Sequence, residues 1–157
     1  MNRPQNIESI LTEYAPLVAR IAASHESNAA RREELIQDVS LAVWRGLESF
    51  RGEASIKTFV ARVAHNRCVD HVLSEQRHHQ LLFDEKAYAQ ASEPCANTDS
   101  QLDLFSALQK LPLAYRQVMV MQLEGFTQNE IGDVLGINEA AVSQRVRRAR
   151  MQLEKLL

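Results

Sequence analysis

The sequence is sparing in several things, and each shortage excludes something. It has no apolar run of twenty residues, so no membrane-spanning helix is expected. No apolar stretch of the kind that directs secretion follows Met1-Asn2-Arg3-Pro4. Its two cysteines, Cys68 and Cys95, do not make a disulfide framework and suit a reducing cytoplasm, where the chain is expected to reside. Aromatic residues are only 6% of the chain, strand-like runs are few, and four prolines leave long stretches free to be helical. An all-α fold is predicted. A glycine-rich phosphate loop, a metal-ligand motif of dependable spacing and a nucleophile–base set are all missing, so an enzyme is the weakest reading. No catalytic residue, metal or cofactor is expected.

What is present is concentrated near the C-terminus. Thr127 to Leu135 reads as one short helix, Gly136 as a left-handed helix stop, and Glu139 onward as a second helix. Gly132 supplies a small residue where the second helix crosses the first. Val142, Val146, Ala149, Leu153 and Leu156 recur at steps of three or four and form a buried stripe. Arg145, Arg147, Arg148 and Arg150 lie largely off it. The pair predicts a helix-turn-helix whose second helix suits a DNA major groove.

The formal net charge of −2 argues at first against a nucleic-acid partner. The distribution answers the objection. From Glu139 to Leu157 the cations Arg145, Arg147, Arg148, Arg150 and Lys155 face only Glu139 and Glu154, whereas Gln80 to Ser106 has Lys86 alone against Asp84, Glu85, Glu93, Asp99 and Asp103. Phosphate affinity follows local charge rather than the sum. Such a chain is expected to bind DNA weakly alone and better when a larger partner positions its basic faces.

Three parts are expected along the chain. Residues 1–80 predict three helices: about Ile7–Ser24, with Pro16 as a place for a kink or a division; about Ala30–Ser49, striped by Leu35, Val39, Val43 and Leu47; and a third, capped by Ser55, ending near Gln76 to His79. Residues 81–101 lose periodicity, gain Ser, Asn, Asp and Pro94, and predict an acidic flexible linker. About twenty such residues span about 25 Å on average and about 70 Å when stretched. Residues 102–157 predict four short helices ending in the helix-turn-helix. Two DNA-binding modules on such a tether reach elements about two helical turns apart, and binding of one raises the effective concentration of the other.

The run Leu108 to Val118, then Glu124-Gly125-Phe126-Thr127, Glu130-Ile131, Gly136-Ile137, Val142 and Arg148-Ala149-Arg150 resembles region 4 of bacterial sigma factors. Glu34 to Val39, Trp44, Phe50-Arg51-Gly52, Phe59-Val60-Ala61, Ala64-His65-Asn66 and Asp70 resemble region 2. Both matches, in that order around a short linker with no room for region 3, resemble the extracytoplasmic-function, or group IV, sigma factors. The resemblance implies an alternative sigma factor that binds core RNA polymerase, recognises promoter DNA and opens it. It also implies control by a separate anti-sigma factor.

The resemblance distributes the surface as follows. Gln37, Asp38, Leu41, Trp44 and Arg45, off the apolar stripe of the second helix, would dock on the polymerase clamp; an exposed Leu and Trp among polar groups has the composition of a protein-binding patch. Phe50, Arg51, Gly52, Ser55, Phe59, Arg62, Asn66, Asp70 and Arg77 would meet the minus-10 element and receive an extruded base. Thr127, Glu139, Ala140, Ser143, Gln144, Arg145, Arg147 and Arg148 would meet the minus-35 element, with Arg145 and Arg150 also placed to clamp phosphate or pair with acidic neighbours.

Many relatives have Trp where Phe59 stands, a cation at Leu73 and a different start to the last helix than Asn138-Glu139-Ala140-Ala141. Promoter preference therefore does not carry over. His65, Cys68 and His71, three residues apart, have a spacing that suits soft metal ligands, set against Cys68 joining the core and histidines on a nucleic-acid face. The runner-up function is a stand-alone helix-turn-helix regulator whose residues 1–80 sense or dimerise. It predicts tight binding to a palindrome without polymerase.

Overall fold

The computed structural model describes residues 6–83 and 100–157, and the described residues form an all-α fold in two helical units. The first holds α1 (Ile7–His25), α2 (Ala29–Glu48) and α3 (Ile56–Phe83). The second holds α4 (Ser100–Lys110), α5 (Leu113–Leu123), α6 (Gln128–Leu135) and α7 (Glu139–Leu156).

Local chemistry sets most of the boundaries. Asn6 accepts from the Ser9 amide at 3.1 Å and Asn28 from the Arg31 amide at 3.0 Å, so α1 and α2 begin with capped donors. Ser55 caps α3 as its sequence predicts, accepting from the Thr58 amide at 3.1 Å while donating to Thr58 Oγ1 at 2.9 Å. Pro16 lies inside α1 without dividing it. At its far end α3 runs to Phe83, past the stop expected near residues 76–79, so residues 81–83 are helix rather than linker. Residues 100 and 101 likewise open α4. The acidic stretch between, with Pro94 and Cys95, lies outside the described residues.

The first unit closes around Leu17, Val18 and Ile21 of α1, Leu35, Val39, Val43 and Leu47 of α2, and Val60, Ala64 and Cys68 of α3, all buried. His65 is buried as well, which removes it from the nucleic-acid face expected of it. The second unit closes around Leu108, Leu111, Val118, Met121, Ile131, Val142, Val146 and Ala149. Arg116 is buried within it and donates from one guanidinium nitrogen to the carbonyls of Gln109 at 2.6 Å and Leu111 at 3.1 Å. It thereby satisfies acceptors that the end of α4 leaves open. Burial lowers its pKa.

The two units are packed on each other. Helix α1 lies against α4 and α5, and α3 lies against α6. Gln109 of α4 donates to the Ala23 carbonyl of α1 at 2.8 Å.

Candidate nucleic-acid interface

Side-chain caps and a glycine stop fix the helix-turn-helix formed by α6 and α7. Thr127 and Glu130 form a reciprocal capping box on α6, at 3.1 and 2.9 Å. The amide held by the Glu130 carboxylate pulls that group's pKa down. Thr127, expected on DNA, thus spends its hydroxyl on the cap. Gly136 ends α6 in the left-handed region, at φ 72°. Gly132 is small mainly for the turn rather than for the crossing helix. A Cβ there would lie 2.6 Å from the Ile137 carbonyl oxygen but 3.6 Å from Val142 of α7. Asn138 then caps α7 by accepting from the Ala141 amide at 2.8 Å.

Along α7 the stripe Val142, Val146, Ala149 and Leu153 is buried, and the opposite side stands in solvent. Glu139, Ala140, Ser143, Gln144, Arg147, Arg148 and Arg150 are exposed, and Arg145 is half-buried. None of the four arginines makes an ion pair among the described residues. Their charge is available to a polyanion. A hollow of about 290 Å³ opens beside this helix, lined by Gln122, Gln128, Ser143, Arg147 and Met151 among others.

On α2, all five residues expected at the polymerase point outward. Gln37, Asp38 and Arg45 are exposed, and Leu41 and Trp44 keep 49% and 38% of their surface in solvent. Asp38 also lies 3.8 Å from Arg67 of α3, which ties this face loosely to the next helix.

The residues expected at the minus-10 element divide into two groups. Asn66, Asp70 and Arg77 are exposed at steps of four and seven, and half-buried Arg62 precedes them by one turn. Leu73 falls on the same stripe, 41% exposed, so an apolar side chain interrupts the polar row. Arg51 and Gly52 sit in the exposed loop ahead of α3, with Gly52 at φ 75°. Phe50 and Phe59 belong to the second group. Their rings lie 5.0 Å apart and pack on the core. The tip of Phe59 occupies the space that a Cβ on Gly46 would need, at 2.5 Å. Phe50 and Phe59 therefore support the loop from beneath. The Ser55 hydroxyl is committed to its cap.

His65, Cys68 and His71 of α3 do not converge. His65 and Cys68 are both fully buried, with the Cys68 thiol pushed up to about 12 by burial and, less, by the Asp38 carboxylate. His71 instead bonds Glu26 at 2.7 Å, beside an Arg31–Glu75 pair at 3.0 Å. Glu26, His71 and Glu75 are close enough to share an ion, yet each already has a protein partner.

Three features escaped the sequence. Arg20 of α1 meets Glu124 at the end of α5 through two hydrogen bonds, 2.6 and 2.8 Å. Lys57 of α3 donates to the Glu124 carbonyl at 3.1 Å and stands 4.7 Å above the centre of the Phe126 ring. His25 and His65, rings edge to face at 5.9 Å, form a buried neutral pair. Pairings across 104 residues leave no periodic trace in a sequence.

Comparison with known proteins accounts for the arrangement. The sigma-70 region 2 family matches residues 10–78, and the sigma-70 region 4 family matches residues 101–153. The chain is 28% identical over 139 residues to the ECF RNA polymerase sigma factor SigM of Mycobacterium tuberculosis, covering 88% of this chain and 70% of that protein. It is 24% identical over 163 residues to the RNA polymerase sigma factor YlaC of Bacillus subtilis, covering 99% and 94%. In fold it resembles the sigma factor RpoE of Bartonella quintana, solved with the anti-sigma factor NepR. The TM-score is 0.77 at 22% identity, over 95% of this chain and 94% of that one. CnrH, solved with the cytosolic domain of CnrY, gives 0.69 at 23% identity, over 96% and 86%.

Proposed function

Because this chain belongs to the extracytoplasmic-function sigma factors, which are transcription initiation factors, we propose a division of its surface between polymerase and promoter. The exposed side of α2, with Leu41 and Trp44 at its centre, docks on core RNA polymerase. Exposed apolar side chains ringed by Gln37, Asp38 and Arg45 have the make-up of a protein contact whose few large residues carry most of the energy.

The loop 50–55 and the stripe Arg62, Asn66, Asp70 and Arg77 engage the minus-10 element. The cations hold phosphates, and the Asn66 amide offers both a donor and an acceptor to a base edge. Gly52 lets the loop turn tightly, while the tilted Phe50–Phe59 pair gives it a firm floor for a base drawn out of the duplex. The exposed side of α7 enters the major groove at the minus-35 element. The observation that carries this reading is the row of Arg147, Arg148 and Arg150, exposed and free of ion pairs among the described residues, next to Gln144.

The chain acts as an adaptor with no chemical step of its own, and it works in the cytoplasm, where polymerase is. No helix among the described residues is long and apolar enough to cross a membrane. A separate anti-sigma factor silences it by covering these faces. Support comes from the fold relative RpoE, solved with the anti-sigma factor NepR.

Affinity capture on core polymerase tests the division. The wild-type chain is expected to be retained. Leu41→Ala with Trp44→Ala is expected to lose about thirtyfold in affinity, the scale of a central contact residue, with its helicity unchanged. Equal retention of the double variant would remove α2 from the polymerase contact.

A further inference from the structure

Residues 124–126 are held from two sides by the other unit. The Glu124 carboxylate, with only 12% of its side chain exposed, takes the Nε and one terminal nitrogen of Arg20 from α1, in the forked geometry that favours arginine over lysine. From the first turn of α3, Lys57 takes the Glu124 carbonyl and caps the Phe126 ring. Gly125, at φ 87°, turns the chain between these two attachments. The Gln109–Ala23 bond adds a third tie, from α4 to α1.

These ties hold the two units in direct contact. DNA elements two helical turns apart lie about 70 Å from each other, a span that two touching units cannot bridge. The ties must therefore break when both elements are bound. They are also of a kind that breaks readily, since Arg20 is half exposed and ion pairs at that depth are weak and screened by salt. Lys57, two residues beyond the loop 50–55, stands beside the strand that the minus-10 reading brings in.

We propose that Arg20, Lys57 and Glu124 form an intramolecular clasp that keeps the free chain closed and withholds the Lys57 ammonium from DNA phosphate. Opening exchanges the Glu124 carbonyl and the Phe126 ring for a phosphate oxygen. The closure rests on the geometry alone, and the exchange rests on the minus-10 assignment above.

Spin labels on the full-length chain separate the two. Cys95→Ser removes one thiol, the buried Cys68 is left unlabelled, and Glu34→Cys in α2 and Glu154→Cys in α7 carry the labels. At low salt the label pair is expected to give one narrow, short distance distribution. Glu124→Lys is expected to replace it with a broad, longer one, and adding Arg20→Glu to restore the short one. Raising salt to about 1 M is expected to open the unmodified clasp. A broad distribution at low salt, or a short one in Glu124→Lys, overturns the clasp.

For the exchange, Glu124→Gln is expected to raise the affinity of the free chain for a minus-10 single strand at least threefold, and Lys57→Ala is expected to cancel the gain. An open Glu124→Lys distribution with no gain in DNA affinity for Glu124→Gln overturns the exchange while leaving the clasp standing.

Discussion

The ring tip of Phe59 fills the place where a side chain on Gly46 would begin, 2.5 Å from an ideal Cβ at that position. Two features of the sequence are explained together. A glycine inside a helix is unfavourable on propensity, so Gly46, in the last turn of α2, calls for a packing reason. Phe59 supplies that reason, and the same contact holds its ring against Phe50 and the core.

Gly46→Ala is expected to destabilise the first unit by about 1–3 kcal/mol, because the ring has to move out of a packed site. Urea denaturation measures it. Adding Phe59→Leu, which shortens the obstructing side chain, is expected to return part of the loss. Full stability in Gly46→Ala would show that the ring is free to swing aside.

Acid is expected to weaken the fold through two rings. Burial pushes His65 down to about 3 and His25 down to about 4, with Arg116 and His71 adding to the shift at His25 and the His25 charge adding at His65. Unfolded, both titrate near about 6.5. As pH falls below that value the unfolded chain takes up protons that the folded chain refuses. Stability is therefore complete above about pH 6.5 and declines until the folded values are reached. The slope approaches about 1.4 kcal/mol per pH unit for each ring, so unfolding midpoints should drop steeply between about pH 6 and about pH 5. Neither ring nitrogen of His65 has a hydrogen-bond partner among the described residues, so His65→Leu loses no bond there. It is expected to keep its stability at neutral pH and to flatten the acid decline by about half.

Arg147→Ala with Arg148→Ala is expected to weaken binding of the polymerase-bound chain to upstream promoter DNA. The slope of log affinity against log salt should fall by about 2, close to one for each phosphate no longer neutralised. The two side chains are exposed and unpaired among the described residues, so folding should change by no more than about 0.5 kcal/mol. An unchanged slope would take both residues off the phosphate backbone.

How far the sequence could be read depended on whether a feature was local. The stripe of α2, the cap at Ser55, the helix stop at Gly136 and the cap at Asn138 each rest on residues within one or two turns. Side-chain spacing and capping chemistry reveal them directly. The end of α3 is hidden because its last turns, through His78 to Phe83, contain no glycine or proline to mark a stop. Of the residues expected at DNA, those on exposed stripes are where the pattern put them. Thr127, Ser55, Phe50 and Phe59 also have structural partners, which the sequence does not announce, since a side chain that caps or packs looks the same there as one that binds. The Arg20–Glu124 pair, 104 residues apart, leaves no local mark, because it depends on how helices meet in space.

Run-off transcription with core polymerase, a library of promoter fragments and this chain tests the central claim most directly. Transcripts are expected to appear only when the chain is added, from fragments sharing two short elements about two helical turns apart, and to vanish with the Leu41→Ala, Trp44→Ala variant. The same transcripts from core polymerase alone, or tight binding of the free chain to a palindrome with no transcription at all, would contradict the account.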